Sequence, residues 1–157
     1  MAEKSTRSNC YSLLHELLSQ EKNISLLRFI KREHEDVKSL VLKIATQSAA
    51  GAKLLEEFAR NDPTFNLEDI RLPSGESATR DAISATRKGE LLSKKGEDFA
   101  LTLLLTQTEA LNYGAHLAKV AAANEPKPDR ASAMSKLSRD LEELYHEVFL
   151  LLLLKSK

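Results

Sequence analysis

The sequence has no tryptophan, one cysteine, four prolines and five glycines. Cys10 alone cannot close an intrachain disulfide or furnish a cysteine-rich zinc site. The strand-favouring aliphatics are scarce, with 4 Val and 5 Ile against 28 Leu and 18 Ala. Leu and Ala are strong helix formers, so an all-α protein is expected. No sign of charge dominates, because 23 Lys and Arg balance 23 Asp and Glu. That balance gives no support to broad electrostatic binding of nucleic acid. Long apolar runs are missing as well. The longest, Val148 to Leu154, is far short of the ~20 residues that span a bilayer. Met1 to Asn9 is polar and does not resemble a signal peptide, so a cytoplasmic location is expected. There is no Gly-rich phosphate loop, nucleophile elbow or Cys/His zinc spacing.

What is present is helical periodicity divided by clustered breakers. Pro63 and Pro73 mark one connection, and Pro126 and Pro128 mark another. The expected helices cover 6–20, 24–60, 77–124 and 129–154, within a single domain over 1–157. Their inward stripes read Cys10, Tyr11, Leu14, Leu17 and Leu18; then Leu26, Ile30, Val37, Val41, Ile44, Gly51, Leu55 and Phe58. The third reads Leu92, Phe99, Leu103, Ala110, Tyr113 and Leu117, with Gly89 and Gly96 as points of bending or division. Leu101, Leu104, Leu105 and Leu111 make it apolar on a second side. The last reads Leu137, Leu141, Leu144, Val148 and Leu151. Together they predict an antiparallel four-helix bundle with a long connection around 61–76, suited to a crossover.

Carboxylates and imidazoles are the main carriers of chemistry. With Leu141 as origin and about 100° per residue, Glu143 falls near 200° and His146 near 140°, away from the core. With Val37 as origin, Glu33 lies near −40° and His34 near +60°, on the inward stripe. A buried carboxylate must be paired, hydrogen-bonded or metal-bound, which makes Glu33 and His34 the best candidates for a buried polar site. Glu109, Asn112 and His116 form a polar stripe at the edge of the third helix. Gln107 and Tyr145 point inward and are suited to a hydrogen-bond network with His34. His15 flanks the first helix, and Cys10 reads as a small core residue. Lys31-Arg32 and Lys94-Lys95 are short basic pairs on solvated faces. The Leu-rich end of the last helix suits a partner or a second copy of the chain.

Several features resemble the ferritin-like superfamily. They are Arg32-Glu33-His34 on a long helix, the connection containing Leu72-Pro73, Gly96-Glu97-Asp98-Phe99 opening a strong helix, and Glu143-x-x-His146 on the last. The layout is similar to small ferritin-like bundles over Leu13 to Leu154. The resemblance implies a bundle whose metal, iron or manganese, would be held by carboxylates and imidazoles. The candidate ligands are Glu33, His34, Glu109, Glu143 and His146. Di-iron members carry Glu-x-x-His on two helices, but Lys31 stands three residues before His34, so the second motif is missing. The expected protein is a ferritin-like bundle without a complete di-iron set, serving as a binding or structural protein, dimeric through apolar helix faces. The alternative is an oxidase or storage-type protein with a non-standard metal site.

Overall fold

A computed structural model describes residues 4–23 and 34–157. Among them are five helices and no strand: α1 (Thr6–Glu21), α2 (Glu35–Asn61), α3 (Ser74–Ser93), α4 (Gly96–Ala123) and α5 (Pro128–Lys155). Ser5 caps α1, its side chain accepting a hydrogen bond from the Ser8 amide at 3.1 Å. Pro128 opens α5, where a missing N–H costs nothing. The expected start of the second helix, with Leu26, Ile30 and Glu33, lies outside the described residues. Among the described residues, no helix is long and apolar enough to cross a membrane.

The third expected helix is two. Ser93 ends α3, Lys94 and Lys95 are extended, and Gly96 takes φ +59°, a left-handed conformation open to glycine. The chain reverses there, whereas Gly89 stays helical within α3. The connection after α2 is residues 62–73, and it is laced rather than loose. The Asp62 carboxylate accepts from the Thr64 amide at 3.0 Å and the Thr64 hydroxyl at 2.6 Å. The Asn66 side chain accepts from the Glu68 amide.

Contacts between helices follow a ring. α1 packs on α2 and α4, and α5 packs on α4 and α2, with α4–α5 the most extensive interface. Every ring neighbour is antiparallel. Tyr11 meets Phe58 and Gly51 faces Leu18 across α1 and α2. Arg7 reaches Glu125 at the end of α4, while Gly114 in its middle faces Leu17. Asp36 pairs with Lys155 and Lys43 with Glu147 across α2 and α5. α2 and α4 therefore run the same way, and the chain between them must return along the length of the ring. α3 makes that return: its 20 residues span about 30 Å. It packs on α4, and none of its own residues is buried.

The core is the leucine interior that the stripes of α1, α2 and α5 foretell. Cys10, Tyr11, Leu14, Leu18, Val37, Ile44, Leu55, Leu137, Leu141 and Val148 are all buried in it. On α4 the expected stripe is displaced. Phe99 and Leu103 are buried, but Leu92 and Tyr113 are exposed. Leu92 belongs to the separate α3. Tyr113 faces α3, where the Arg80 guanidinium stands 5.3 Å from its ring. The buried face runs instead through Leu104, Gln107, Leu111, Ala115 and Ala118, small enough along its second half for close approach of α5. At that contact the Ser138 hydroxyl donates to the Ala115 carbonyl at 2.7 Å.

Two helical glycines make space for leucines from two neighbours at once. A Cβ on Gly51 would stand 2.8 Å from Leu18 Cδ1 and 3.3 Å from Leu137 Cδ1. A Cβ on Gly114 would stand 3.1 Å from Leu17 Cδ2 and 3.3 Å from Leu141 Cδ1. A large side chain there overpacks the α1–α5 junction. Gly51→Leu is expected to destabilise the protein by about 1–3 kcal/mol. Gly89→Ala, with nothing within 4 Å of the new methyl, is expected to stabilise by up to about 1 kcal/mol. Urea unfolding followed by circular dichroism checks both; equal effects of one sign would refute the packing assignment.

Candidate functional site

The densest polar construction lies where the start of α1, the 62–73 connection and the α4–α5 turn meet. Glu125, between two helices joined by a short turn, has a side chain with no exposed surface. Its Oε2 accepts from the Tyr11 hydroxyl at 2.7 Å. Its Oε1 accepts from Arg7 Nη1 at 3.2 Å and from the Lys127 amide at 3.2 Å. Beside it Arg130, itself buried, donates to Asp62 at 2.7 Å. The Phe65 ring lies under both guanidiniums, at 4.8 Å from Arg7 and 5.2 Å from Arg130, and 4.7 Å edge-on to Tyr11. Lys4 bonds to Ser12 at 2.6 Å and to the carbonyls of Asn66 and Asp69.

The titrations fit that enclosure. Burial pushes the Tyr11 hydroxyl well above its ordinary range, and the hydrogen bond to Glu125 adds to the shift. Thr64 and then Arg130 hold the Asp62 carboxyl well below the usual carboxylate range. Each carboxylate oxygen in the cluster has a donor from this chain. The cluster is therefore a clasp between segments far apart in sequence, and not an open reaction centre.

The sequence-derived metal candidates that the structure describes are not gathered into one ligand group. Glu33 lies outside the described residues. His34 is buried ahead of α2, its Nε2 3.7 Å from the exposed Glu97 carboxylate and its Nδ1 without a partner among the described residues. Glu109 accepts from Arg87 Nη2 at 2.6 Å, holding α3 to α4. Glu143 and His146 are exposed on α5, with His146 Nε2 3.9 Å from Glu142. Among the described residues, no three His, Cys, Asp or Glu side chains are grouped to hold a metal ion. The described donors alone, His34, Glu109, Glu143 and His146, do not supply the carboxylate-bridged pair that a di-iron centre needs.

Gln107 is buried as its wheel position predicts, and it hydrogen-bonds Glu21 of α1. Desolvation pushes the Glu21 carboxyl up, against the lowering effect of that bond. Tyr145 is half-buried and lies away from His34, at a shallow cleft between α4 and α5. The cleft, about 100 Å³, is lined by Asn112, His116, Lys119, Glu142, Tyr145 and His146. The Asn112 carbonyl engages His116 Nδ1 at 2.8 Å. Such a volume admits a few waters or a small ion and is well below the roughly 300 Å³ of a typical organic-ligand pocket. Cys10 is a buried free thiol whose pKa burial raises, which suppresses its thiolate form.

The clasp had little signal in the sequence. Glu125 stands beside Pro126 in an evident turn, and its partners Arg7 and Tyr11 are more than a hundred positions away. No protein-family model matches the chain, and no curated protein or solved structure matches it either.

Removing Glu125 leaves the Tyr11 hydroxyl and Arg7 without their acceptor. Glu125→Ala is expected to cost about 3–5 kcal/mol, and Tyr11→Phe about 1.5–3 kcal/mol, in urea unfolding at neutral pH. Asp62 makes the clasp acid-sensitive. Its folded pKa lies below the unfolded value of about 4, so its stabilisation is complete above that value and lost as pH falls below it. The difference in urea midpoint between the native protein and Asp62→Asn is expected to be largest at pH 7 and to shrink below about pH 4. A difference that grew on acidification would refute the assignment.

Proposed function

We propose that the protein is a non-enzymatic binding or structural protein on a ferritin-like four-helix bundle, without a complete di-iron ligand set and paired with a second copy through apolar helix faces. The topology supports the fold reading. Antiparallel neighbours with one long return between the second and third, carried here by α3, are in keeping with a ferritin-like connectivity. The observation that carries the functional reading is the position of the donors. Leucines fill the interior, Glu109 faces α3, and Glu143 and His146 face solvent. Fold likeness alone would not transfer the oxidase chemistry of ferritin-like enzymes.

One observation favours the alternative of an iron- or manganese-binding protein with a non-standard site: His116 and His146 share a cleft with Glu142. The same experiment separates the two readings. The protein is incubated with Fe(II) or Mn(II), desalted, and its metal content measured, alongside aerobic Fe(II) oxidation. The expected result is metal far below one ion per chain and oxidation no faster than in buffer. Stoichiometric metal, lost in His146→Ala, would overturn the proposal in favour of the alternative.

A further inference from the structure

Among the described helices, α3 stands apart from the interior. The helices of the ring bury between six and twelve residues each, and α3 buries none. Of its larger apolar side chains, Leu91 packs half-buried against the core, while Ile83 and Leu92 are 53% and 66% exposed. Helices in proteins owe most of their stability to a packed apolar face, and α3 has little of one. Its composition does not compensate. Gly, Ser and Thr fill eight of its 20 positions, and all three are poorer helix formers than Ala or Leu.

The contacts that dock α3 are polar. Arg87 Nη2 donates to Glu109 at 2.6 Å, and Arg80 Nη1 donates to the Tyr113 hydroxyl at 3.4 Å. Glu109 and Tyr113 remain exposed beneath them, and ion pairs so open to solvent are weak. Docking also leaves Arg87 Nε buried without an acceptor among the described residues. Water would supply that acceptor once the helix lifted.

The chain on either side of α3 is held firmly. Upstream, Phe65 is buried beside the Glu125 clasp, and Lys4 bonds to the carbonyls of Asn66 and Asp69. Downstream, Phe99 and Ala100 are buried in the first turn of α4. Pro73 at one end of α3, and Lys94 and Lys95 at the other, are exposed. The helix can therefore swing at both ends without disturbing either anchor.

We infer that α3 is a strap that lifts from α4 and re-docks as a unit while the ring of α1, α2, α4 and α5 stays folded. Lifting uncovers the α4 face that carries Glu109 and Tyr113 and frees Arg80 and Arg87. Access to that face is then governed by the opening of α3 and not by global unfolding. Proteins open in cooperative units whose free energies run from near zero to the global value, and a unit with few buried contacts lies at the low end.

The test is native-state hydrogen exchange of the full chain, read by mass spectrometry on peptic peptides. Amides of α3 are expected to show measurable protection, about a hundredfold or more below that of α4 and α5. Sub-denaturing urea is expected to speed exchange in the ring helices steeply and in α3 only slightly, because lifting α3 exposes little surface. Gly89→Ala is expected to slow α3 exchange about fivefold, and Glu109→Gln to speed it about two- to fivefold, with the ring helices unchanged in both. Protection of α3 equal to that of α4 and α5, or α3 exchange that rises with urea in step with the ring, would overturn the inference. So would α3 amides without any protection, which would mark a segment that never docks.

Discussion

One buried carboxylate fixes how the ends of this molecule meet. Glu125 stands where α4 gives way to α5, and it gathers the Tyr11 hydroxyl, the Arg7 guanidinium and the Lys127 amide. An ionised carboxylate without solvent contact is tolerable only when several donors surround it. The donors come from two places: the first turns of α1 and the turn itself. α1 has 16 residues where its ring partners have 27 or 28, so it cannot span the ring's length. Its position along the axis must be set by something other than matched ends. Glu125 sets it at one end, and the gaps at Gly51 and Gly114, which receive Leu17 and Leu18, set it toward the other.

Phe65 extends that constraint to the 62–73 connection. The ring is buried beneath Arg7 and Arg130, and Lys4 and Ser12 bond to the carbonyl of Asn66. The chain therefore leaves α2 along a defined path before it enters α3. α3 itself contributes no buried residue and is held to α4 by Arg80 on Tyr113 and Arg87 on Glu109. Exposed ion pairs of this kind add little stability. The core thus depends on α1, α2, α4 and α5, and α3 serves to carry the chain back so that α4 can run parallel to α2. The same division separates chemistry from core. Glu125 and Asp62 are bonded at one end, Arg80 and Arg87 contact α4 from α3, and Glu143 and His146 are open to solvent along α5.

How much of this could be read from the sequence depended on how local each determinant was. α1, α2 from Glu35 onward and α5 each have one apolar face, and most of their buried residues are those of the wheel, although Leu17, Phe58 and Leu151 are only half-buried and Leu13 and Leu40 are buried beside the stripes. α4 failed in part because it is apolar on two sides. Periodicity alone could not choose between Tyr113 and Leu111, and the choice is made by α3 on one side and the small residues facing α5 on the other. The division at Gly96 needed a positive φ that a glycine permits but does not require. The exposure of Glu143 and His146 followed from the wheel. Glu109's bond to Arg87 did not, because it depends on a helix that periodicity had merged with its neighbour. Glu125 was illegible for a different reason: its burial is a property of three segments brought together, and none of them marks it alone.

The leucine run of α5 illustrates the limit of composition from the other direction. Seven consecutive apolar residues cannot all face one side of a helix with 3.6 residues per turn. Burying Val148, Leu151 and Leu152 obliges Leu150 and Leu154 to point elsewhere, whatever surrounds them. A polar residue at those exposed positions would satisfy the core equally well, so the core does not account for their being leucine. Two ion pairs, Lys43–Glu147 and Lys155–Asp36, bracket this stretch and fix its rotation against α2. With the rotation fixed, the outward-facing Leu150 and Leu154 form a defined exposed surface beside the core.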